Sequence, residues 1–465
     1  MNKTDLKGKR VTVFGLGLSG GGTGTVAFLA RAGVREIIVT DKRRREDLLP
    51  SLRTLEKIRN VTYVLGQHRP EDFTNTDLVV KNPGIPPGNE YLRLAAGKGV
   101  PVRTDSGLFF EFCANPIIGV TGTKGKTTTA SMIAHILERA GVSVARIGIG
   151  REPVLGALPD IRSGDTVVFE LSSWRLAGLG EVGRSPHVAV FTNFFPDHLN
   201  YYRSIGDYRH DKSFLYRFQK ADDLLVAGAD IDFSGEDVRS ERVPFSVSGP
   251  LPTGAFFRDD EAVLVRDDRE SILFRREDIR VPGSFQAGNA LAAATAAFLA
   301  GICPKEISGA LRSFSGLPHH LEFVREVDGI SFYDDSTATV PEAAIAALDS
   351  FPDRPILIAG GSDKGLSFDG LVARIISDTK RTVLLKGDAS DRLLRLLSKR
   401  LPDEDVRNRF PPVTSMEEAV QAAVSFAKPG DTVVLSPGAA SFGLFRNEFE
   451  RGERFKEAVA RLSGR

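Results

Sequence analysis

The run Gly119-Val120-Thr121-Gly122-Thr123-Lys124-Gly125-Lys126-Thr127-Thr128 constrains this chain more than any other stretch. The apolar segment Pro116 to Val120 enters it and reads as a buried strand. Met132, Ile133, Ile136 and Leu137 then recur on one helical face, and Gly141 is placed to stop the helix. A strand, a glycine-rich turn and a helix N-terminus aim backbone N–H groups and the positive end of a helix dipole at one point, which makes a phosphate cradle. The expected ATP-binding residues are Gly122, Thr123, Lys124, Gly125, Lys126, Thr127 and Thr128. Lys126 would reach the terminal phosphates, and the Thr127 hydroxyl would hold Mg²⁺. The ordinary spacing asks for glycine at Val120, so this loop is a departure from the common P-loop.

A second glycine pattern lies upstream. Arg10 to Phe14 reads as a strand that runs into Gly15-Leu16-Gly17-Leu18-Ser19-Gly20 and a helix through Phe28 and Leu29; a further strand, Glu36 to Thr40, ends on Asp41. An acidic residue about 20 positions after G-x-G-x-x-G is the pattern of a dinucleotide site, and alone it points to an NAD-dependent oxidoreductase. The turn itself requires only that backbone N–H groups approach a diphosphate, which any nucleoside diphosphate satisfies. Two features count against nicotinamide: the basic run Lys42-Arg43-Arg44-Arg45, and a strand ending in Lys81-Asn82-Pro83-Gly84-Ile85-Pro86 at the same sheet edge.

Bulk properties narrow the partners. A length of 465 residues suits about three domains. A net charge of +1 gives no electrostatic reason to expect nucleic acid or a membrane surface. The only cysteines are Cys113 and Cys303, outside any metal-like cluster, and Met1 to Arg10 lacks an apolar signal core. The expectation is a soluble, monomeric cytoplasmic protein acting on small molecules.

Strand-then-loop units continue along the chain. Thr166 to Glu170 ends on a carboxylate, where a second Mg²⁺ ligand is expected in a P-loop domain, and Leu171-Ser172-Ser173 follows. Val188 to Asn193 leads to Pro196-Asp197-His198, so His198 falls at a strand tip beside the nucleotide loop. Tyr208 to Lys212 opens a helix in which, on the residues alone, Lys212 is an ordinary charge. Asp222 to Asp278 reads as short strands of a peripheral sheet. After an alanine-rich helix through Ala300, three more units end in Gly360–Gly365, Lys386–Asp388 and Ser436–Ser441. The predicted fold is α/β in three domains: a Rossmann-like domain over 1–113, a central P-loop ATPase domain with a parallel sheet over 114–316, and a doubly wound Rossmann-like domain over 317–465.

Taken together these segments resemble the Mur ligases, the ATP-dependent amino-acid-adding enzymes of peptidoglycan synthesis. Gly122 to Thr127, Glu170 to Ser173, Asn193 to His198, Gly288-Asn289-Ala290, Leu317-Pro318-His319, Asp335-Ser336 with Ala338-Thr339, and Ser436-Pro437 with Ala440-Ser441 fall in that family's order. Gly15 to Gly20, Asn82 to Ile85 and Arg451 to Phe455 resemble its branch that adds D-glutamate to UDP-N-acetylmuramoyl-L-alanine. The resemblance implies an amide ligase working through an acyl phosphate. It implies Gly17, Leu18, Ser19, Asp41, Arg43, Asn82, Gly84 and Ser172 as contacts of the UDP substrate. Lys126, Glu170, His198 and Lys212 would be catalytic, and Thr127, Glu170, His198 and a carbamylated Lys212 would hold two Mg²⁺ ions. Asn289 and Asp335 would contact ATP, and Thr339, Lys364 and Ser441 the incoming glutamate. The chain departs from the family pattern at Ile149 (usually Asn), His320 (Arg), Thr337 (Lys), Val340 (polar) and Glu448 (Phe). The same UDP acid joined to another amino acid, such as L-glutamate, and a catalytically silent binding protein are the competing expectations.

Overall fold

The computed structural model describes every residue except 1–2, 19, 87, 150–152, 196–201, 203, 284, 403, 405, 407–409, 411 and 463–465. The chain divides into two compact units, one comprising Met1–Arg276 with Gly288–Ala310 and the other Glu277–Ala287 with Leu311–Arg465.

The first unit holds two sheets. The five-stranded sheet consists of β1 (Arg10–Phe14), β2 (Glu36–Asp41), β3 (Val61–Leu65), β4 (Leu78–Lys81) and β5 (Val102–Thr104), in the order β3-β2-β1-β4-β5 and parallel throughout. The direction of winding reverses between β1 and β4. A crevice therefore opens at their carboxyl ends, where Gly15 and Asn82 begin their loops. Helix α1 (Gly21–Arg31) follows the first of these loops.

The larger sheet contains β6 (Ile117–Thr121), β7 (Val144–Ile147), β8 (Thr166–Glu170), β9 (Val188–Phe191), β10 (Leu224–Gly228), β11 (Glu241–Ser246), β12 (Gly254–Arg258), β13 (Glu261–Arg266) and β14 (Arg269–Arg275). Its order is β14-β13-β12-β11-β10-β9-β6-β8-β7. Every residue of β6 is buried, as expected of a β-branched run covered on both faces. Helix α2 (Lys126–Arg139) rises directly from the nucleotide loop, and α3 (Ile205–Ser213) and α4 (Gln286–Leu299) come later in the chain. The stretch expected as short strands of a peripheral sheet extends this one: β10 pairs in parallel with β9, and β12 to β14 form an antiparallel meander beyond β11. The free backbone edge of β9 needs partners, and β10 supplies them.

In the second unit β15 (Glu322–Val327), β16 (Ile330–Asp334), β17 (Ile356–Gly360), β18 (Arg381–Leu385), β19 (Pro412–Val413) and β20 (Thr432–Leu435) form one sheet, ordered β15-β16-β20-β17-β18-β19. Residues alternate between two cores: Leu357 and Ala359 face one, Ile356 and Ile358 the other. Helices therefore cover both faces, as predicted. The antiparallel β15–β16 hairpin was not predicted. Helix α5 (Glu448–Ala460) closes the described chain.

Candidate functional site

At the carboxyl ends of the paired parallel strands β6 and β9, the glycine loop is held from beneath. Asn193 Oδ1 accepts from the backbone N–H groups of Thr123 (3.1 Å) and Lys124 (2.9 Å), and its Nδ2 donates back to Lys124 O (3.0 Å). The Thr192 hydroxyl donates to that same carbonyl at 2.8 Å. Gly125 takes φ +79°, and a Cβ there would overlap Asn289 Oδ1, so α4 packs against the loop's turn. Asn289 Oδ1 also accepts from Thr129. Gly122 has no room for a side chain because Thr192 Oγ1 occupies the space. With only glycine tolerated, the loop backbone lies open at the amino end of α2.

Lys126 curls over this loop, donating to Gly122 O and Thr123 O at 3.1 Å each. Glu170, at the tip of β8, accepts from the Thr127 hydroxyl; burial pushes its carboxyl above the usual range against that bond and the Lys126 and Arg175 charges. A hydroxyl and a carboxylate side by side are hard oxygen donors, and they fit Mg²⁺. Lys212 is 1% exposed, and its ammonium donates to Gly122 O at 2.8 Å and Thr121 Oγ1 at 3.2 Å. The six residues Lys126, Thr127, Glu170, Thr192, Asn193 and Lys212 therefore converge on one loop. Thr192 and Asn193 as loop fasteners were not anticipated beyond the motif; their signal is a strand that ends in two side chains able to bond backbone. His198 lies outside the described residues.

The crevice between β1 and β4 forms a cleft of about 490 Å³, lined by Gly15 to Leu18, Asp41 to Arg43, Asn82, Gly84 and neighbours. Asp41 holds this loop in shape: Oδ2 accepts from Leu16 N (2.9 Å) and Gly17 N (3.0 Å), and Oδ1 from Arg43 N (2.9 Å). The aspartate expected as a contact of the UDP substrate thus also orders the glycine turn. Asn82 Oδ1 accepts from Gly84 N, turning the second loop toward the same space. Ser172 is not among the lining residues; its hydroxyl caps the helix Ser173–Ala177 by accepting from Arg175 N. Ser19 lies outside the described residues.

In the second unit, Lys364 donates to Thr339 Oγ1 at 3.0 Å, which brings two of the three expected amino-acid contacts together. Ser441 lies on the neighbouring loop, whose Ala440 bridges Ser362. Asp335 accepts from Ser436 Oγ (2.7 Å) and Leu321 N (3.2 Å), and burial pushes its carboxyl up to about 7. Arg451, fully buried, grips the same loop through Ser336 Oγ, Ser336 O and Ala439 O, and burial lowers its guanidinium to about 10. Two of the departures from the family pattern meet: Thr337 Oγ1 lies 2.9 Å from His320 Nδ1. Ile149 is half-buried, Val340 caps the helix Pro341–Leu348 without a side-chain bond, and the Glu448 carbonyl accepts from the Ser336 hydroxyl.

Family profiles described as Mur ligase MurD-like N-terminal domain, Mur ligase middle domain, and Mur ligase glutamate ligase domain match residues 9–104, 120–297 and 319–438. A UDP-N-acetylmuramoylalanine--D-glutamate ligase of Roseiflexus sp. (strain RS-1) is 41% identical, over 98% of this chain and 99% of its own. The protein of the same name from Acetivibrio thermocellus is 35% identical over 98% and 97%. Among solved structures, UDP-N-acetylmuramate-alanine ligase MurC of Thermotoga maritima aligns over 97% of this chain and 99% of its own with a TM-score of 0.54 and 20% identity. MurF ligase of the same organism, in complex with ADP, aligns over 99% and 97% with a TM-score of 0.51 and 17% identity. These two likenesses speak to the fold.

Proposed function

The chain belongs to the Mur ligase family, and from that membership we propose that it is an ATP-dependent ligase joining D-glutamate to UDP-N-acetylmuramoyl-L-alanine in peptidoglycan synthesis. The substrate carboxylate attacks the γ-phosphorus, a C–O–P link forms and ADP departs. The glutamate amine then attacks the carbonyl carbon; phosphate leaves with the C–O bonding pair, the amine sheds a proton, and the amide remains. A carboxylate and a triphosphate repel one another, so the site must neutralise charge and hold geometry before either step can occur.

Each part of the molecule has a share in this reading. Residues 1–113 form the domain that grips the uridine diphosphate, through Gly17, Leu18, Ser19, Asp41, Arg43, Asn82 and Gly84, with Ser172 of the central domain toward the substrate's acid end. Residues 114–316 bind ATP through Gly122 to Thr128 and Asn289. Residues 317–465 add Asp335 toward ATP and Thr339, Lys364 and Ser441 toward glutamate. Lys126 turns its ammonium from the loop carbonyls to the terminal phosphates. Thr127 and Glu170 would hold one Mg²⁺, and His198 with a carbamylated Lys212 a second; bound, these ions screen the phosphates from the incoming acid. The enzyme works in the cytoplasm as a monomer on small molecules, without nucleic-acid or membrane partners. Among the described residues no helix is long and apolar enough to cross a membrane.

The observation that carries the reading is the Thr127–Glu170 contact beside an open glycine loop, in a chain 41% identical along its length to a D-glutamate ligase. The second reading, another amino acid on the same UDP acid, draws on the His320–Thr337 contact, which stands where the family carries two cations. A phosphate-release assay with ATP, Mg²⁺ and UDP-N-acetylmuramoyl-L-alanine against a panel of amino acids separates them. D-glutamate alone should drive release. Release without the uridine-linked acid, or none in its presence, would overturn the assignment.

A further inference from the structure

Arg209 lies on α3 three residues before Lys212, its side chain only 16% exposed, and it takes no part in the chemistry proposed above. Its guanidinium carbon is 5.3 Å from the ring centroid of Phe191, 5.1 Å from that of Phe194 and 5.0 Å from that of Phe233. At the edge of the same group, Nε donates to Glu236 Oε1 at 2.9 Å and Nη2 donates to Asp232 O at 2.8 Å. Asp232, Phe233 and Glu236 belong to the connection between β10 and β11. The other oxygen of Glu236 accepts from the Tyr216 hydroxyl. Burial, and then that hydrogen bond to the carboxylate, raise the tyrosine pKa, so the hydroxyl keeps the hydrogen it donates. A planar cation lying over three rings and bonded along its edge is held in one orientation.

Both supports of the glycine loop meet at this cation. Phe191 ends β9, and the next two side chains, Thr192 and Asn193, are the ones that bond the loop backbone. Phe194 then stacks on Tyr208 of α3, with centroids 5.4 Å apart at 26°, and the Tyr208 hydroxyl lies 3.3 Å from Thr123 Oγ1 within the loop. Lys212, the second support, places its Nζ 5.9 Å from the Phe191 centroid and 4.8 Å from that of Tyr208. Residues three apart share one side of a helix, so the anchor that fixes Arg209 also sets the rotation and height at which Lys212 meets Gly122 O. On the reading that this loop holds ATP, we propose that Arg209 is a positioning residue of that site: it locks the end of β9 to α3, and so sets the loop backbone and Lys212 in register. A phosphate cradle depends on the directions of its N–H groups, and a small tilt of either support turns them away from the ligand.

Calorimetric titration of the full chain with Mg·ADP and, separately, with UDP tests this, each variant being titrated well below its own melting temperature. Arg209→Met keeps an apolar stem among the rings and removes the charged fork. It should weaken Mg·ADP binding by at least about tenfold, the worth of one charge-assisted hydrogen bond lost from the cradle, and leave UDP within about twofold of wild type. Arg209→Lys restores the charge without the planar fork and should recover only part of the loss. If the methionine variant does not fold, Glu236→Gln decides: it takes away the carboxylate that orients the guanidinium and should weaken Mg·ADP by about threefold or more. A variant that melts earlier yet binds Mg·ADP within about twofold of wild type, or one that loses UDP as much as Mg·ADP, overturns the positioning role and leaves the ATP reading intact. Failure of wild type to bind Mg·ADP overturns both.

Discussion

At the scale of single residues, the glycine and lysine positions of the loop between β6 and α2 answer to backbone sterics and charge. Gly122 and Gly125 stand where a Cβ would strike Thr192 and Asn289. Lys126 already lies over the loop, and Lys126→Ala should lower phosphate release by at least about a thousandfold, the scale on which such a charge contributes to phosphoryl transfer. A variant within tenfold of wild type would refute that role. Lys212 was legible only through the family resemblance, since nothing in a Tyr-Arg-His-Asp-Lys helix announces a lysine buried behind Gly122. Lys212→Ala should lose activity that formate or acetate partly restores by supplying the missing carboxylate. Full activity without added acid would remove any need for carbamylation. The spacing after G-x-G-x-x-G brings Asp41 to the cleft, yet it cannot say that the backbone N–H groups of Leu16, Gly17 and Arg43 will bond its oxygens.

Among the elements, strands with continuous apolar runs were predicted to within a residue or two, and the β15–β16 hairpin and the β10–β14 extension were not. Periodicity reports how a strand is buried and says nothing of which open edge it will join. The carboxyl end of β16 carries a consequence for stability. Asp335 is buried, with a folded value near 7, well above the roughly 3.9 of an unfolded aspartate. Between those values the folded chain holds a proton that the unfolded chain has released, so stability falls as pH rises from about 4 to about 7 and the loss is complete above that. Asp335→Asn keeps an oxygen for the Ser436 hydroxyl and has nothing to titrate. Its denaturation midpoint should lose less over that interval, by at least about 1 kcal/mol in unfolding free energy. Parallel decline in the two proteins would contradict the assignment.

For the whole molecule, the cleft proposed for the uridine diphosphate and the glycine loop proposed for ATP fall within the first unit, while Thr339, Lys364 and Ser441, proposed for glutamate, fall in the second. Heating should therefore give two calorimetric transitions, and UDP should raise only one of them, by about 2.7 kcal/mol at a hundredfold excess over its dissociation constant. A single transition, or an equal shift of two, would show that the units melt together. The three-domain reading of the sequence grouped residues by motif, whereas the two units group them by packing, because one core runs from Leu6 to Phe233 through both amino-terminal sheets. Asn289, which follows β14 in the chain, lies against Gly125. During synthesis the glycine turn leaves the ribosome long before the side chain that braces it, so a nascent chain acquires the braced turn only after residue 289 has emerged.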